Sequence, residues 1–314
     1  ELLKLKPMSN KNLLPKILAT MVLALIFTVI GLMFSPLKSD LQDWLALEYN
    51  SHINELMTSP NNYLMSEPEP IIGKSTNSSQ IITNEINDEN SMLDIWFDRS
   101  QTQALIVQRQ GKIVYERYGE DVKQGLNVNG MSMAKSVIAI LIGIAIDDEL
   151  INSEKDPISI YLPELTSSKY NRVEIRDLLR HTSGIQSSNR DLQDTLNNKI
   201  LNLSTRNLLF SDDKSFSYDN MNYHLLMLIL QRLYQKPINE IIEAKVWQSL
   251  RLEDASMVTS SGYCCLFATA KSWLAIGNLF LNPNNTIVSK TWLDKMVQDA
   301  LLPKSFYVQA TEKS

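Results

Sequence analysis

The order of elements along the sequence predicts an α+β fold. A β-hairpin comes first, a long series of helices follows it, and no alternating βαβ units are seen. A separate observation is an uncharged apolar stretch near the N terminus, long enough to cross a bilayer. The sequence therefore predicts a membrane helix joined to one α+β domain.

Composition supports a folded chain and excludes some classes of function. Of 314 residues, 44% are hydrophobic and 21% charged, which is typical of globular proteins. The net charge of −5 gives no general attraction for nucleic acid, so we expect no nucleic-acid partner. The only cysteines, Cys264 and Cys265, are neighbours and offer neither a loop-closing disulfide nor spaced zinc ligands. We expect them to pack as small apolar side chains.

The apolar stretch predicts a transmembrane anchor at 13–34. It carries no charge from Ile17 to Phe34, and its N-terminal flank is basic, with Lys4, Lys6, Lys11 and Lys16. By the positive-inside rule, residues 1–12 are a cytoplasmic tail and the domain lies on the periplasmic side of the inner membrane. A cleaved signal peptide is the alternative, although no A-x-A-like cleavage site follows.

Residues 35–90 form the predicted tether, and 91–314 the folded domain. The segment from Asn50 to Ser91 is dominated by Asn, Ser, Pro and Glu and has little periodicity. Part of it is expected to dock on the domain as a strap.

Within the domain, alternating apolar and polar residues from Ala104 to Tyr118 predict a hairpin turning at Gln110-Gly111. Ser132 to Ile146 reads as a helix that is apolar on all sides and hence buried. Two strands make a poor sheet, so we expect further strands beyond Ser314 or an unusually small sheet. The remaining predicted helices are Val173–Leu179, Tyr223–Tyr234, Ile238–Leu250, Thr269–Leu281 and Ser289–Gln298.

A serine and a lysine three residues apart begin the buried helix. Ser132 and Lys135 would share one helix face, and both the helix dipole and burial disfavour a charged lysine there. Lys135 could therefore accept the Ser132 proton. Spacing alone is weak, because Ser35 and Ser211 are also followed by lysine at the third position. Neither of those pairs precedes a buried helix.

Two further motifs carry polar groups that could take part in chemistry. Tyr218 and Asn220 lie in one loop, where a phenol could shuttle a proton and a carboxamide could clamp a substrate. The alternative is a packed aromatic with a satisfied hydroxyl. His181 and Ser183 suggest a Ser-His-Asp triad, but no G-x-S-x-G elbow is present and a structural turn is favoured. No metal-binding or nucleotide-binding motif occurs, so neither a metal nor a cofactor is expected.

In order along the chain, LIVQRQGKIVYERYG, SMAKSV, DPISIYLPEL, IRDLLRHTSGI, FSYDNMNYHLL and LFATAKSWLAIGNLFL resemble the β-lactamase-related serine hydrolases. This family includes class C β-lactamases and 6-aminohexanoate-dimer hydrolases, and SMAKSV with the HTSG turn looks closest to the latter. The resemblance implies a β-lactamase/transpeptidase-like fold, with an antiparallel sheet flanked by helices and a helical subdomain. It also implies Ser132 as nucleophile, Lys135 as its base partner, Tyr218 as general acid/base and Asn220 at the substrate amide.

The family's third motif, a Lys- or His-containing triad ending in Gly on a C-terminal strand, has no match. We therefore expect the chain to be C-terminally incomplete, with several strands and the second oxyanion-hole donor beyond Ser314. The sequence as a whole predicts a membrane-anchored serine hydrolase that cleaves small-molecule or peptide amides or esters through an acyl-enzyme on Ser132. A sensor module that binds cell-wall fragments or β-lactams is the alternative, and a structural envelope protein is a third.

Overall fold

A computed structural model of the chain describes residues 69–74, 88–165, 170–187, 209–210, 214–258, 262–282 and 286–298. All of them belong to one compact unit, Glu55–Ser314, of the two into which the chain divides. The predicted tail and anchor, and most of the predicted tether, lie outside the described residues. None of the helices in the described ranges is both long and apolar enough to cross a membrane.

Strands and helices are numbered in chain order. The strands are β1 (Glu69–Ile71), β2 (Ala104–Arg109), β3 (Lys112–Tyr118), β4 (Val128–Asn129), β5 (Ile185–Gln186), β6 (Leu209–Phe210), β7 (Ala255–Met257) and β8 (Leu266–Ala268). The helices are α1 (Asp88–Arg99), α2 (Ala134–Asp147), α3 (Ile175–Leu179), α4 (Asn220–Tyr234), α5 (Ile238–Ile242), α6 (Gln248–Leu250), α7 (Ala270–Leu281) and α8 (Lys290–Gln298). Short 3-10 turns occupy Met131–Met133, Ile158–Ile160, Pro163–Leu165 and Tyr170–Arg172.

The predicted hairpin is confirmed. Strands β2 and β3 pair antiparallel from Ala104 opposite Tyr118 to Arg109 opposite Lys112, with a bulge after Val107. Gln110 and Gly111 both have positive φ, which suits the tight two-residue connection of a right-twisted hairpin. Within the described ranges these two strands form a two-stranded sheet and pair with no other strand.

A separate four-stranded antiparallel sheet has the order β1-β7-β8-β4. Its strands have only two or three residues each, too few to show an alternating pattern, and the sequence did not predict them. Strand β1 lies inside the predicted tether and pairs with β7, where Ile71 is fully buried. The expected docking strap is thus a strand of this sheet.

Helix α2 occupies the centre of the core, as predicted. Every residue from Val137 to Ala145 is buried, and α2 contacts α4 and α8. An apolar helix without a polar face needs protein on all sides, and these neighbours supply it. Strand β4 and the Met131–Met133 turn lead directly into α2, so the residues of this turn stand at the edge of the core.

The other predicted helices are present with modest differences in their bounds. The predicted helix Ile238–Leu250 consists of α5, a π-helical turn (Glu243–Trp247) and α6. Helix α4 ends at Tyr234, where Gln235 takes a left-handed conformation shortly before Pro237. Helix α1 was not predicted; it begins at Asp88, inside the predicted tether, and continues into the predicted domain.

Candidate active site

Ser132 lies in a tight turn that the sheet holds in place. Gly130, just before the turn, donates its N–H to the Leu266 carbonyl of β8, and a Cβ at this position would collide with the Trp273 ring. The buried Asn129 side chain accepts from the Met131 N–H at 2.8 Å, and Met131 has a positive φ. The turn therefore presents the Ser132 side chain at the surface, while α2 behind it is buried.

Two side chains meet at the Ser132 hydroxyl. Lys135 Nζ lies 3.2 Å from Ser132 Oγ and Tyr218 OH lies 2.9 Å from the same atom. The Ser132–Lys135 contact follows from helical spacing, whereas Tyr218 comes from a loop 86 residues further along the chain. The structure thus brings the predicted nucleophile, base partner and acid/base into one hydrogen-bonded group.

Lys135 is held from three directions. Its Nζ also donates to Asn220 Oδ1 at 3.0 Å and to the Tyr263 carbonyl at 2.8 Å. The rings of Tyr218, Tyr223 and Tyr263 surround it, with centroids 4.9 to 5.8 Å from Nζ. Aromatic faces attract a cation and so help to hold the ammonium form in a site from which water is largely excluded.

The pKa of Lys135 is lowered from its usual value, chiefly because burial removes the ammonium group from water. The hydrogen bond and charge interaction with Tyr218 act in the opposite direction. The lysine is only 6% exposed. Lys135 therefore gives up its proton at a lower pH than a surface lysine does.

The loop that carries Tyr218 and Asn220 is fixed by the residue between them. Asp219 caps α4 by accepting the Met221 N–H at 2.8 Å, and its carboxylate also accepts from the Ser187 N–H and hydroxyl. Asn220 is the first residue of α4, and its Oδ1 accepts the bond from Lys135. Sequence reasoning missed Asp219, although an Asp before a helical stretch is an N-cap signal.

The predicted turn after α3 lies beside the site but contributes no serine to it. Ser183 Oγ donates to Asn222 Oδ1 at 2.6 Å and accepts from the Ile185 N–H, and the side chain is buried. His181 lies against Tyr218 with its ring. Ser183 and His181 each bond to the Asn222 amide and not to each other, and this geometry does not support the triad alternative.

Sequence reasoning missed one feature near Lys135 and misinterpreted another. The Tyr263 carbonyl was missed because every residue has a backbone carbonyl, so the residue type does not indicate this role. Next to it, Cys264 and Cys265 are joined by a disulfide, so the expectation of two packed thiols is wrong. Adjacent cysteines close no chain loop, so the loop-based argument against a disulfide did not apply to them.

Among the described residues, no group of His, Cys, Asp or Glu is arranged to hold a metal ion.

Comparison with known proteins identifies the class of this structure. It resembles an assigned 6-aminohexanoate-dimer hydrolase from Bacillus anthracis (TM-score 0.59, 16% identity, covering 78% of this chain and 74% of the other). It also resembles a D-amino acid amidase from Ochrobactrum anthropi SV3 (TM-score 0.52, 15% identity, covering 62% of this chain and 71% of the other). A third similar structure is a point mutant of a class C β-lactamase (TM-score 0.53, 16% identity, covering 68% of this chain and 72% of the other). At these identities the likeness shows the fold, which is the β-lactamase/transpeptidase-like α+β fold.

The chain belongs to the Beta-lactamase family, whose model matches residues 98–261, just over half of the sequence. The matched region contains Ser132, Lys135, Tyr218 and Asn220. No curated protein matches the chain significantly. The family membership confirms the resemblance drawn from the sequence motifs.

Proposed function

We propose that this protein is a serine hydrolase that cleaves amide or ester bonds through an acyl-enzyme on Ser132. The observation that carries the proposal is the pair of hydrogen bonds at Ser132 Oγ, from Lys135 Nζ and Tyr218 OH. A serine hydroxyl is a weak nucleophile until a neighbouring group takes its proton. Here two groups able to exchange protons lie within hydrogen-bond distance of that hydroxyl.

In acylation, Ser132 Oγ attacks the substrate carbonyl carbon, and its proton passes to Lys135 in the neutral form that burial favours. The bond from the carbonyl carbon to the amine or alcohol then breaks, and Tyr218 donates a proton to the leaving group. Lys135 returns a proton to Tyr218. Water then attacks the Ser132 ester, releasing the carboxylic acid and restoring the serine.

Two donors are placed to bind substrate oxygen. The Met131 and Met133 N–H groups are engaged by Asn129 Oδ1 and by the Gly130 carbonyl, and the Ser132 N–H lies between them at the nucleophile itself. We assign the Ser132 N–H as a donor to the oxyanion that forms on attack. Asn220 Oδ1 accepts a hydrogen bond from Lys135 Nζ, so the Nδ2 group can donate to a substrate amide carbonyl.

Labelling of the full chain with a fluorophosphonate probe tests the nucleophile. Ser132→Ala should abolish labelling, and Lys135→Ala should slow it by about 10² to 10⁴, the scale of a lost general base. Ser183→Ala is the matched control, since the Ser183 hydroxyl bonds to Asn222, and it should retain labelling. Loss of labelling in Ser183→Ala together with retention in Ser132→Ala would reverse the assignment.

A penicillin-type probe separates hydrolase from sensor, because a hydrolase releases the product and a sensor keeps a stable acyl-enzyme.

We propose in addition that residues 13–34 anchor the protein in the inner membrane, with the catalytic domain in the periplasm. The support is the uncharged stretch and its basic N-terminal flank. The protein should stay in the membrane fraction after an alkaline wash, and protease should reach the domain only from the periplasmic side. A soluble mature form that begins near Ser35 would show a cleaved signal peptide instead.

A further inference from the structure

Tyr218 rests on a buried histidine. The imidazole of His181 stacks on the phenol ring with centroids 4.5 Å apart and an angle of 23° between planes. Tyr218 is 54% exposed, whereas His181 is only 7% exposed. The histidine is therefore the buried surface on which the exposed phenol lies.

The backbone on both sides of Tyr218 is bonded to this same histidine. The Ser217 N–H donates to the His181 carbonyl at 2.8 Å, and the Asp219 N–H donates to His181 Nδ1 at 3.2 Å. One residue thus supports the ring of Tyr218 and receives the amides that precede and follow it. Three contacts from one residue define both the position and the tilt of the phenol.

His181 is itself held firmly. Its Nδ1 also faces Asn222 Nδ2 at 3.1 Å, and two N–H donors at one nitrogen require that Nδ1 carry no proton. Tyr223 lies against the same ring at 5.2 Å. The His181 backbone is itself in the left-handed conformation, with φ 55°.

A neutral imidazole suits this place. Burial, and secondarily the nearby charge of Lys135, lower the pKa of His181 to about 4, against the opposing effect of Asp219. At neutral pH the ring can therefore accept both N–H groups and stack on Tyr218 without placing a second cation beside Lys135. Tyr223 is the other titratable group whose ring faces it.

We propose that His181 is a positioning residue that directs the Tyr218 hydroxyl at Ser132 through ring stacking and through the amides of Ser217 and Asp219. The inference rests on the proposed function, since it gives Tyr218 its place in that reaction. Misplacing a reacting group by about 1 Å can cost about 10²-fold in rate. His181 thus acts on the reaction only through Tyr218.

Two variants separate the two parts of this support. His181→Asn supplies an acceptor near Nδ1 and tolerates the left-handed backbone, but it removes the ring. His181→Phe keeps a ring and removes the acceptor. With the fluorophosphonate probe on the full chain, each should lower the maximal labelling rate by about 10- to 100-fold and leave the half-saturating probe concentration nearly unchanged.

The deciding measurement is a double-mutant cycle with Tyr218→Phe. In that background His181→Asn should have no further effect on the maximal labelling rate, because the hydroxyl that it positions is absent. His224→Phe is the control for altering another buried histidine near α4, and it should label at the wild-type rate.

The outcomes distinguish this inference from the proposed function. If labelling does not require Ser132, the proposed function fails. If labelling requires Ser132 and Tyr218, but His181→Asn slows it equally with and without the Tyr218 hydroxyl, or has no effect, the positioning role is wrong. If Tyr218→Phe labels at the wild-type rate, the role of Tyr218 fails, and the role of His181 with it.

Discussion

At the scale of single residues, a buried imidazole links the stability of the domain to pH. His224 on α4 is 1% exposed, and neither of its ring nitrogens has a hydrogen-bond partner among the described residues. Burial lowers its pKa to about 4. An unfolded chain takes up this proton at about pH 6.5. Between these two values the unfolded state holds more protons, so stability is complete above about pH 6.5 and falls as the pH drops toward 4.

We expect His224→Phe to remove part of this acid sensitivity. At about pH 5 the wild-type protein should lose about 2 kcal/mol through His224, relative to about pH 7.5, and the variant should not. His181, whose pKa is lowered in the same direction, keeps part of the dependence in both proteins. Chemical denaturation at the two pH values measures the difference. An equal loss in wild type and variant would show that His224 does not titrate on unfolding.

At the scale of elements, one glycine sets the distance between α2 and α8. A Cβ at Gly143 would lie 2.1 Å from Trp292 Cδ1, and Trp292 Nε1 donates to the Ala139 carbonyl one turn earlier on α2. The indole thus packs closely on the helix backbone at a residue without a side chain. Any added atom must push α8 away from the core.

Paired alanine substitutions test this contact. Gly143→Ala should lower the free energy of unfolding by about 1 to 3 kcal/mol through overpacking. Gly277→Ala is the matched control in α7, where nothing lies within 4 Å of the new Cβ, and it should raise stability by about 0.5 to 1 kcal/mol. Denaturant titration reports both values. Effects of the same sign would contradict the close approach of the two helices.

At the scale of the whole molecule, sequence reasoning succeeded where the relevant contacts are local. The Ser132–Lys135 pair follows from helical spacing, the hairpin from alternation, and the burial of α2 from its composition. Tyr218 lies 86 residues from its partner Ser132, and Asn220 lies 85 residues from its partner Lys135. No local sequence rule predicts contacts at such separations, so these two residues were singled out by their shared loop and by the resemblance.

The remainder depends on contacts that leave no mark in a sequence. Strands β4, β7 and β8 are too short for any periodic pattern, and they exist because they pair with one another. The third partner of Lys135 is the carbonyl of Tyr263, a group that every residue possesses. His181 was interpreted as a structural turn residue, and only the fold shows which ring it lies beneath.

The redox state of the Cys264–Cys265 pair depends on the compartment in which a molecule folds. Oxidising compartments form and keep such bonds, while the cytosol keeps thiols reduced. The joined and open forms differ by two hydrogen atoms and by their reaction with a thiol-alkylating reagent. Under the proposed export, this pair therefore reports whether a molecule has crossed the membrane. In molecules that have reached the periplasm the two cysteines resist alkylation, whereas in molecules still in the cytoplasm both cysteines are alkylated.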